Sequence, residues 1–462
     1  MKEETLFVNE PARSIPVRKS VDVVVVGGGP SGIMAAEAAA KKGLKVMLLE
    51  SKSFLGGNLT IGLPILGYLS QKGKLITQGL AQKFIDRLKE KNAASDHRPC
   101  PLHMSLTIVD PEEVKTTALE IMTENNVEVL FYVFFSGVIK EGNEVKGVII
   151  ESKTGREAIL AKVVIDCSGD ADVAYRAGAR TEKGNEKGGM QPPTLMFCMK
   201  GVDVKKLRLS IADHPETYDM DTIPNEFFRK DDNFITVGLR NKVLEAREAG
   251  INIPTERTIL ISGLDEDEIW VNMSRISGVD GTDPASLTRG EIEGRKQIYE
   301  IEKYLVKFVP GFENAYMDRV APFLGIRETR RIVGQYILTE DDILSRRYFD
   351  DAIGAASYPI DIHHPTGGDC TLRWSGDCYD IPYRSLIPLD VENLIVAGRS
   401  ISTTHEAMSA IRVMAPCMLM GEAAGLAAHL AIKHNIHPSQ VDAQELRKEI
   451  LAEGGFLREI EK

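Results

Sequence analysis

Positive charge is in short supply in this chain. Lys and Arg number 56 against 67 Asp and Glu, for a net charge of −11 and a pI near 5.5. A nucleic-acid binder needs basic surface to offset phosphates, so that class is excluded. Cysteine is also scarce: Cys100, Cys167, Cys198, Cys370, Cys378 and Cys417 are all there are. None forms C-x-x-C, and none has zinc-ligand or iron–sulfur spacing, so no metal site is expected. Scattered thiols of this kind read as small buried hydrophobes and fit a reducing cytoplasm. The first twenty residues lack the apolar core of a secretory signal, which also points to the cytoplasm. Residues 413–432 form the most apolar late run, but Glu422, His429 and several small residues interrupt it. A buried helix is expected there, and no membrane span. Internal repeats and low-complexity tracts are missing, and oligomeric state has no signature. The length, 462 residues, suggests two or three lobes with a large core.

What is present is concentrated in residues 21–50, VDVVVVGGGPSGIMAAEAAAKKGLKVMLLE. A short β-branched run, Val23 to Val26, predicts a strand buried in a parallel sheet. Gly27, Gly29 and Gly32 then give G-x-G-x-x-G, followed by an alanine-rich helix and a second apolar strand ending in Glu50. Gly27 permits the turn, Gly29 lets backbone approach a pyrophosphate, and Gly32 lets helix pack against strand. The helix N-terminus offers free N–H groups to phosphates. Glu50, with Ser51 beside it, stands where a carboxylate meets ribose hydroxyls. This context predicts a dinucleotide site. Gly56, Gly57 and Asn58 follow closely, and bare backbone there is expected to pass near the bound cofactor. No second G-x-G-x-x-G occurs, so one dinucleotide is expected and not two.

Farther on, Leu80, Phe84, Ile85 and Leu88 share one face of a helix expected over 77–90. Asp110 and Pro111 open another as N-cap and first residue. Residues 127–166 change to β-rich runs separated by EGN and KTG turns, a strand feeding a small meander and returning at 163–166. The return strand ends in CSGDAD, a small flexible turn at the ligand-binding edge of an open sheet. From about 180 to 384 the pattern is irregular, with a long helix near 287–309 and strands near 320–326 and 332–338. This reads as an inserted substrate-side lobe. The apolar strand 394–396 returns to the first lobe, and a helix rich in Gly and Ala follows it. The expected division is 1–179, 180–384 and 385–462.

Four stretches together resemble the FAD-dependent oxidoreductases with a glutathione-reductase-like FAD fold. They are VVVVGGGPSG with Glu50, VVIDCSGDADVAYRAGA (163–179), LGIRETRRIVGQYILTEDDI (324–343), and NLIVAGRSISTTHEAMSAIRVMAPCMLMGEAAG (393–425). The resemblance implies an α/β Rossmann-like fold, a parallel sheet plus β-meander with an inserted α+β lobe. It implies FAD as cofactor, with Gly27, Gly28, Gly29, Pro30, Ser31 and Gly32 around the pyrophosphate and Glu50 at the adenosine ribose. Ser168, Gly169 and Asp172 would line the dinucleotide from the second turn, and Gly398 and Arg399 would approach it from the returning strand. An acid follows that glycine in many such folds, and Arg399 departs from the pattern. A helix beginning near Arg412 and Val413 would aim its N-terminus at the flavin ring.

A flavin enzyme needs an acid or base near the substrate. The candidates are His363, His364, His405, Glu406, Arg327, Glu328, Arg330 and Arg331, with Arg327, His363 and His405 foremost. Strand alternation would put Arg327 and Arg331 on one face, able to hold a substrate carboxylate. The alternative is an internal Arg–Glu network. Trp374, Tyr379 and Tyr383 read first as core. The expected activity is hydride transfer between flavin and a small organic molecule, with an unnamed electron acceptor or donor. A structural flavin in a binding protein and a plain NAD-dependent dehydrogenase are the competing readings.

Overall fold

The computed structural model describes residues 8, 10–230, 232–368 and 370–459. Its central sheet grows from the strand Val17–Val26, whose valines at 23, 24 and 25 are completely buried. Burying each such side chain contributes roughly 1.5–3 kcal/mol. Val46–Leu49 and Glu128–Leu130 extend the sheet in parallel on one side. On the other side lies the long strand Gly155–Asp166, which places Asp166 beside Val26. The first half of this strand pairs antiparallel with Glu144–Ser152, and that strand with Phe134–Glu141. Its second half pairs in parallel with Leu394–Val396. One strand therefore closes the meander and receives the returning chain.

The run expected to continue from 127 to 140 is broken, because Tyr132 takes φ +59° and ends the parallel strand before the meander begins. The amphipathic helix starts at Leu80, later than its pattern suggested, because Gly79 before it has φ +66°.

Two helices cover one face of the sheet. Pro30–Lys41 packs against Met414–His434 through small residues. A Cβ on Gly421 would stand 2.1 Å from the Ser31 carbonyl, and one on Gly425 would stand 2.4 Å from that of Ala35. Only glycine allows this approach. Met414–His434 is long and apolar enough to cross a membrane, but 89% of its apolar window is buried inside the protein.

A second core is organised by a five-stranded antiparallel sheet, in the order Ile235–Gly238, Thr258–Ser262, Ile269–Val271, Phe197–Lys200, Tyr316–Val320. The helix Pro284–Phe308, capped by Asp283, belongs to this lobe. The two cores do not follow the chain order simply. Ile61, Leu66, Leu102 and Leu106 pack with the second core, whereas Leu338, Phe349, Ile360 and Tyr379 pack with the first. The strands expected at 320–326 and 332–338 lie earlier, at Tyr316–Val320 and Arg330–Ile332.

Candidate functional site

The first glycine turn is fixed by its neighbours. Gly27 takes φ +101°, and a Cβ there would sit 2.4 Å from the Cys167 carbonyl. The second turn is thus packed directly on the first. A Cβ on Gly32 would fall 1.8 Å from the Gly27 carbonyl, so the helix needs glycine to start this close to the strand. Its N-cap, Gly29, supplies no side-chain cap. The first N–H groups are left for a ligand. In front of Gly29, a Cβ would meet only the Gly57 Cα, at 3.9 Å. Glu50 is buried and accepts from the Gly28 N–H at 2.9 Å and the Lys52 N–H at 2.9 Å. Ser51 Oγ donates to it at 3.1 Å. An ionised carboxylate has lone pairs to spare for ribose hydroxyls.

Asp166 organises the second turn. It is wholly buried and accepts from Ser168 N and Oγ at 3.0 and 2.6 Å, and from Val173 N and Ala174 N at 2.9 and 3.0 Å. The carboxylate caps the short helix Asp172–Ala177 from below and consumes the Ser168 hydroxyl donor. Asp172 itself pairs with Arg330. The returning strand ends at Gly398, φ +105°, where a Cβ would lie 2.7 Å from Ser31 Oγ. Arg399 donates to Asp170 Oδ1 at 2.7 Å and to the Ile326 carbonyl at 3.0 Å. The residue that departs from the family pattern therefore ties the second turn to the inserted lobe.

Beyond Arg412, the helix Met414–His434 starts at Val413 with no side-chain cap. The chain thus presents two long helices with open N-termini, three mutually packed turns and a glycine cradle with no side chain in front of it. These features fit an extended diphosphate coenzyme with one anion-seeking end at each helix.

Beside Val413 and Met414 opens a cavity that is continuous with solvent on one side. Apolar residues of the inserted sheet, Ile235, Val237 and Ile259, form one wall, and Leu63, Leu66 and Leu102 another. The polar lining includes Arg257, Arg275, Arg327, Arg412, His103, Tyr358, Asp361 and His363. A narrower recess joins Arg327 and Arg412 to Asn58 and Met414.

Arg327 donates to the Pro192 carbonyl at 2.6 Å and to Thr194 Oγ1 at 2.7 Å. Among the described residues no carboxylate lies within ion-pair distance of it. Burial, then the nearby Arg412, pushes its pKa below the ordinary value; a guanidinium nonetheless stays charged at neutral pH. Arg412 stands 3.6 Å from Asp361 Oδ2. That carboxylate also accepts from the Tyr358 hydroxyl at 2.8 Å and lies 3.3 Å from His363 Nε2. Burial raises the Asp361 pKa, but the contacts with His363, Arg412 and Tyr358 outweigh it and hold the group well below the usual carboxylate range. Burial and the Arg327 charge bring His363 down to about 4, against the opposing pull of Asp361. His363 is therefore a neutral imidazole at pH 7.

The candidates from the sequence separate into two groups. Arg327, His363, Arg412, Val413 and Asn58 line the cavity or its recess. His405 does not: its Nδ1 is 2.8 Å from Glu328 Oε1, which also accepts from Arg331 at 2.8 Å. Arg331 reaches the carbonyls of Thr403 and Gly184 as well. Of the two readings of this stretch, the shared face of Arg327 and Arg331 fails, and the internal Arg–Glu network is found between Arg331 and Glu328. Residues 321–329 are irregular, so strand alternation does not apply, and Arg331 enters the buried network. His364 bonds Thr371, while Tyr379 and Tyr383 are core residues whose hydroxyls reach backbone carbonyls. Trp374 donates to the Leu102 carbonyl.

Sequence reasoning passed over Tyr358, Asp361, Arg257, Arg275, His103 and Gln191. Asp361 carried a signal: it is two residues before His363, hence on the same face of the strand Ile360–His363. Cys370, expected to be a buried hydrophobe, lines the cavity, with Arg257 Nη1 at 3.5 Å from its sulfur.

Three turns converging on one coenzyme cradle, with a lined cavity at its far end, are the layout of a flavoprotein oxidoreductase. Residues 22–450 match the family model described as FAD dependent oxidoreductase. The chain belongs to that family; it is an FAD-dependent enzyme of Rossmann-like α/β fold. A thiamine thiazole synthase of Methanococcus vannielii is 34% identical over 166 residues, which cover 33% of this chain and 58% of that protein. An NADH oxidase of Thermoanaerobacter brockii is 55% identical over 49 residues, 11% of this chain and 7% of that one. The matched segments thus span less than two thirds of these relatives. Among solved structures, a geranylgeranyl bacteriochlorophyll reductase-like protein of Thermoplasma acidophilum superposes with TM-score 0.49 at 15% identity, covering 94% of this chain and 84% of that one.

Proposed function

We propose that the enzyme transfers a hydride between FAD and a small organic acid, whose anionic group is held by Arg327 and Arg412. The observation that carries this reading is Arg327, a cavity-lining guanidinium with no carboxylate partner among the described residues. A cation in a largely apolar cavity, opposed only at longer range by Asp361, is costly unless a ligand brings a nearer anion. Bound FAD supplies the hydride acceptor or donor. The rest is the work of the chain. Arg327 and Arg412 bind and orient the acid, and the walls of Leu63, Leu66, Ile235 and Ile259 exclude water from it. His363, neutral and oriented by Asp361, takes the proton of a hydroxyl or amine as the neighbouring C–H leaves with its electron pair. The glycines at 27–29 and 32, Glu50, Gly57, Gly398 and the open N-terminus at Val413 hold the cofactor, while Ser168, its donors taken by Asp166, shapes the second turn.

The test is anaerobic. Holoenzyme is mixed with small hydroxy and amino acids and, separately, with their amides. Bleaching of the flavin band is expected with an acid and not with its amide. Bleaching by neutral compounds alone would refute the anionic substrate, and no response to any reductant or substrate would favour a structural flavin.

A further inference from the structure

The segment Gln191 to Thr194 reads Q-P-P-T, and it touches every group assigned to substrate binding. The Pro192 carbonyl and Thr194 Oγ1 hold Arg327. Gln191, only 1% exposed, does two further things with one oxygen. Its Oε1 accepts from the His363 backbone N–H at 3.2 Å and from Arg412 Nη2 at 3.4 Å. Its own backbone N–H donates to Glu328 Oε2 at 3.0 Å. Glu328 is the carboxylate that gathers His405 and Arg331. Gln191 Nε2 is buried with no partner among the described residues. The orientation of the amide is fixed by its neighbours, since both groups at Oε1 are donors.

We propose that Gln191 is a positioning residue, which joins the buried Glu328–His405–Arg331 network to the cavity and sets where Arg412 and His363 stand. This rests on the reading of the cavity as an anion site. The logic is geometric. Arg412 is a long side chain whose Nη2 has three acceptors near it, the Asp361 carbonyl at 3.3 Å, Gln191 Oε1 at 3.4 Å and Asp361 Oδ2 at 3.6 Å. Without Gln191 it is free to turn wholly onto Asp361, taking charge away from the anion and disturbing the carboxylate that orients His363. Two prolines stiffen the segment between Gln191 and Thr194, so the positions of Arg327 and Arg412 are set by one rigid piece of chain. His405 then serves the site indirectly, as part of the anchor behind Gln191.

The probe is nitrate, a planar anion that stays ionised across the whole pH range. It is titrated calorimetrically into the holoenzyme of the parent, Q191L, Q191E and R327M. Leu fills the space of Gln191 but accepts nothing, and Q191L is expected to bind nitrate about tenfold more weakly. Glu keeps an acceptor oxygen where Gln191 Oε1 stands. At acid pH, with the new carboxyl protonated, Q191E should bind within about threefold of the parent. As the pH rises the carboxylate forms and pairs with Arg412, and affinity should fall. A space-filling role, which Leu would meet, predicts neither the loss in Q191L nor its recovery in Q191E at acid pH. Parent-like binding by Q191L, with binding lost in R327M, would overturn the role of Gln191 alone. Parent-like binding by R327M, or no binding by the parent, would overturn the anion site and with it this inference.

Discussion

Replacing Arg327 by Met tests the functional reading at its centre. The side chain makes two hydrogen bonds inside the protein, to the Pro192 carbonyl and Thr194 Oγ1, and no ion pair with a described residue. A substrate carboxylate would add a charge-assisted pair worth about 1.5–3 kcal/mol, so its loss should weaken acid binding by roughly 10- to 150-fold. Stability should move little, for two opposed reasons. Met removes a desolvated guanidinium that has no ion pair with a described residue and feels Asp361 only at longer range, which favours the folded state. It also strips a donor from two acceptors, at about 1–3 kcal/mol each if they stayed dry, but cavity water can reach them. The net change should be within about 1 kcal/mol. R327K separates charge from shape: it keeps the cation but lacks the planar fork, and should recover only part of the affinity. The assays are the KM or Kd for the acid, and thermal unfolding of the holoenzyme. Unchanged affinity in R327M would refute the assignment. A loss of affinity accompanied by flavin release would show that Arg327 supports the fold instead.

Other groups give separate outcomes. H363Q should lower kcat by about 10²- to 10⁴-fold with little change in acid affinity. In the parent, the rate should be flat between pH 5 and 7 and fall as pH drops through about 4, where His363 gains its proton; a limb near the ordinary histidine value would contradict this. E50A removes the acceptor of the Gly28 and Lys52 N–H groups. It should weaken FAD by about 10- to 100-fold, read from flavin fluorescence released on dilution. Glu422 is raised to about 8 by burial, opposed by the Leu80 N–H that it accepts. A carboxyl that keeps its proton in the fold but loses it when unfolded destabilises the fold as pH rises from about 4.5 to about 8. E422Q, which keeps an acceptor for Leu80, should therefore match the parent near pH 5 and exceed its unfolding free energy by up to ~4 kcal/mol at pH 8. Equal stability of the two proteins at pH 8 would show that Glu422 ionises freely.

The cofactor half of the molecule was readable because each turn is a local event. A β-branched run, glycines at fixed offsets and an acid two elements later describe a strand–turn–helix–strand whose parts touch one another. Even the tight helix crossing was visible as Gly421 and Gly425 in an alanine-rich run. The substrate half was read less well for the opposite reason. Its cavity draws Leu66 and Leu102 from early in the chain, Arg257 and Arg275 from the inserted sheet, and Tyr358, Asp361 and His363 from a later hairpin. No period or spacing links residues so far apart. The Arg327–Arg331 stretch shows the hazard directly: a strand rule applied to an irregular segment joined two arginines that serve different purposes.

That difference has a physical origin in how the two arginines are compensated. Arg331 is almost wholly buried and has Glu328 at 2.8 Å, two carbonyls and the His405–Glu328 contact around it. Its charge is answered within the fold, so it can only hold structure. Arg327 spends one guanidinium nitrogen, Nη1, on a carbonyl and a hydroxyl, and Asp361 opposes its charge only at longer range. The same residue type, four positions apart, is closed in one case and open in the other. What decides it is Glu328, which turns inward to Gln191 and His405 and leaves the cavity to Asp361. Asp361 in turn is occupied by Tyr358, His363 and Arg412. Glu328 and Asp361 are thus both engaged by other groups, and under the function proposed above it is the substrate's anion that meets the charge on Arg327.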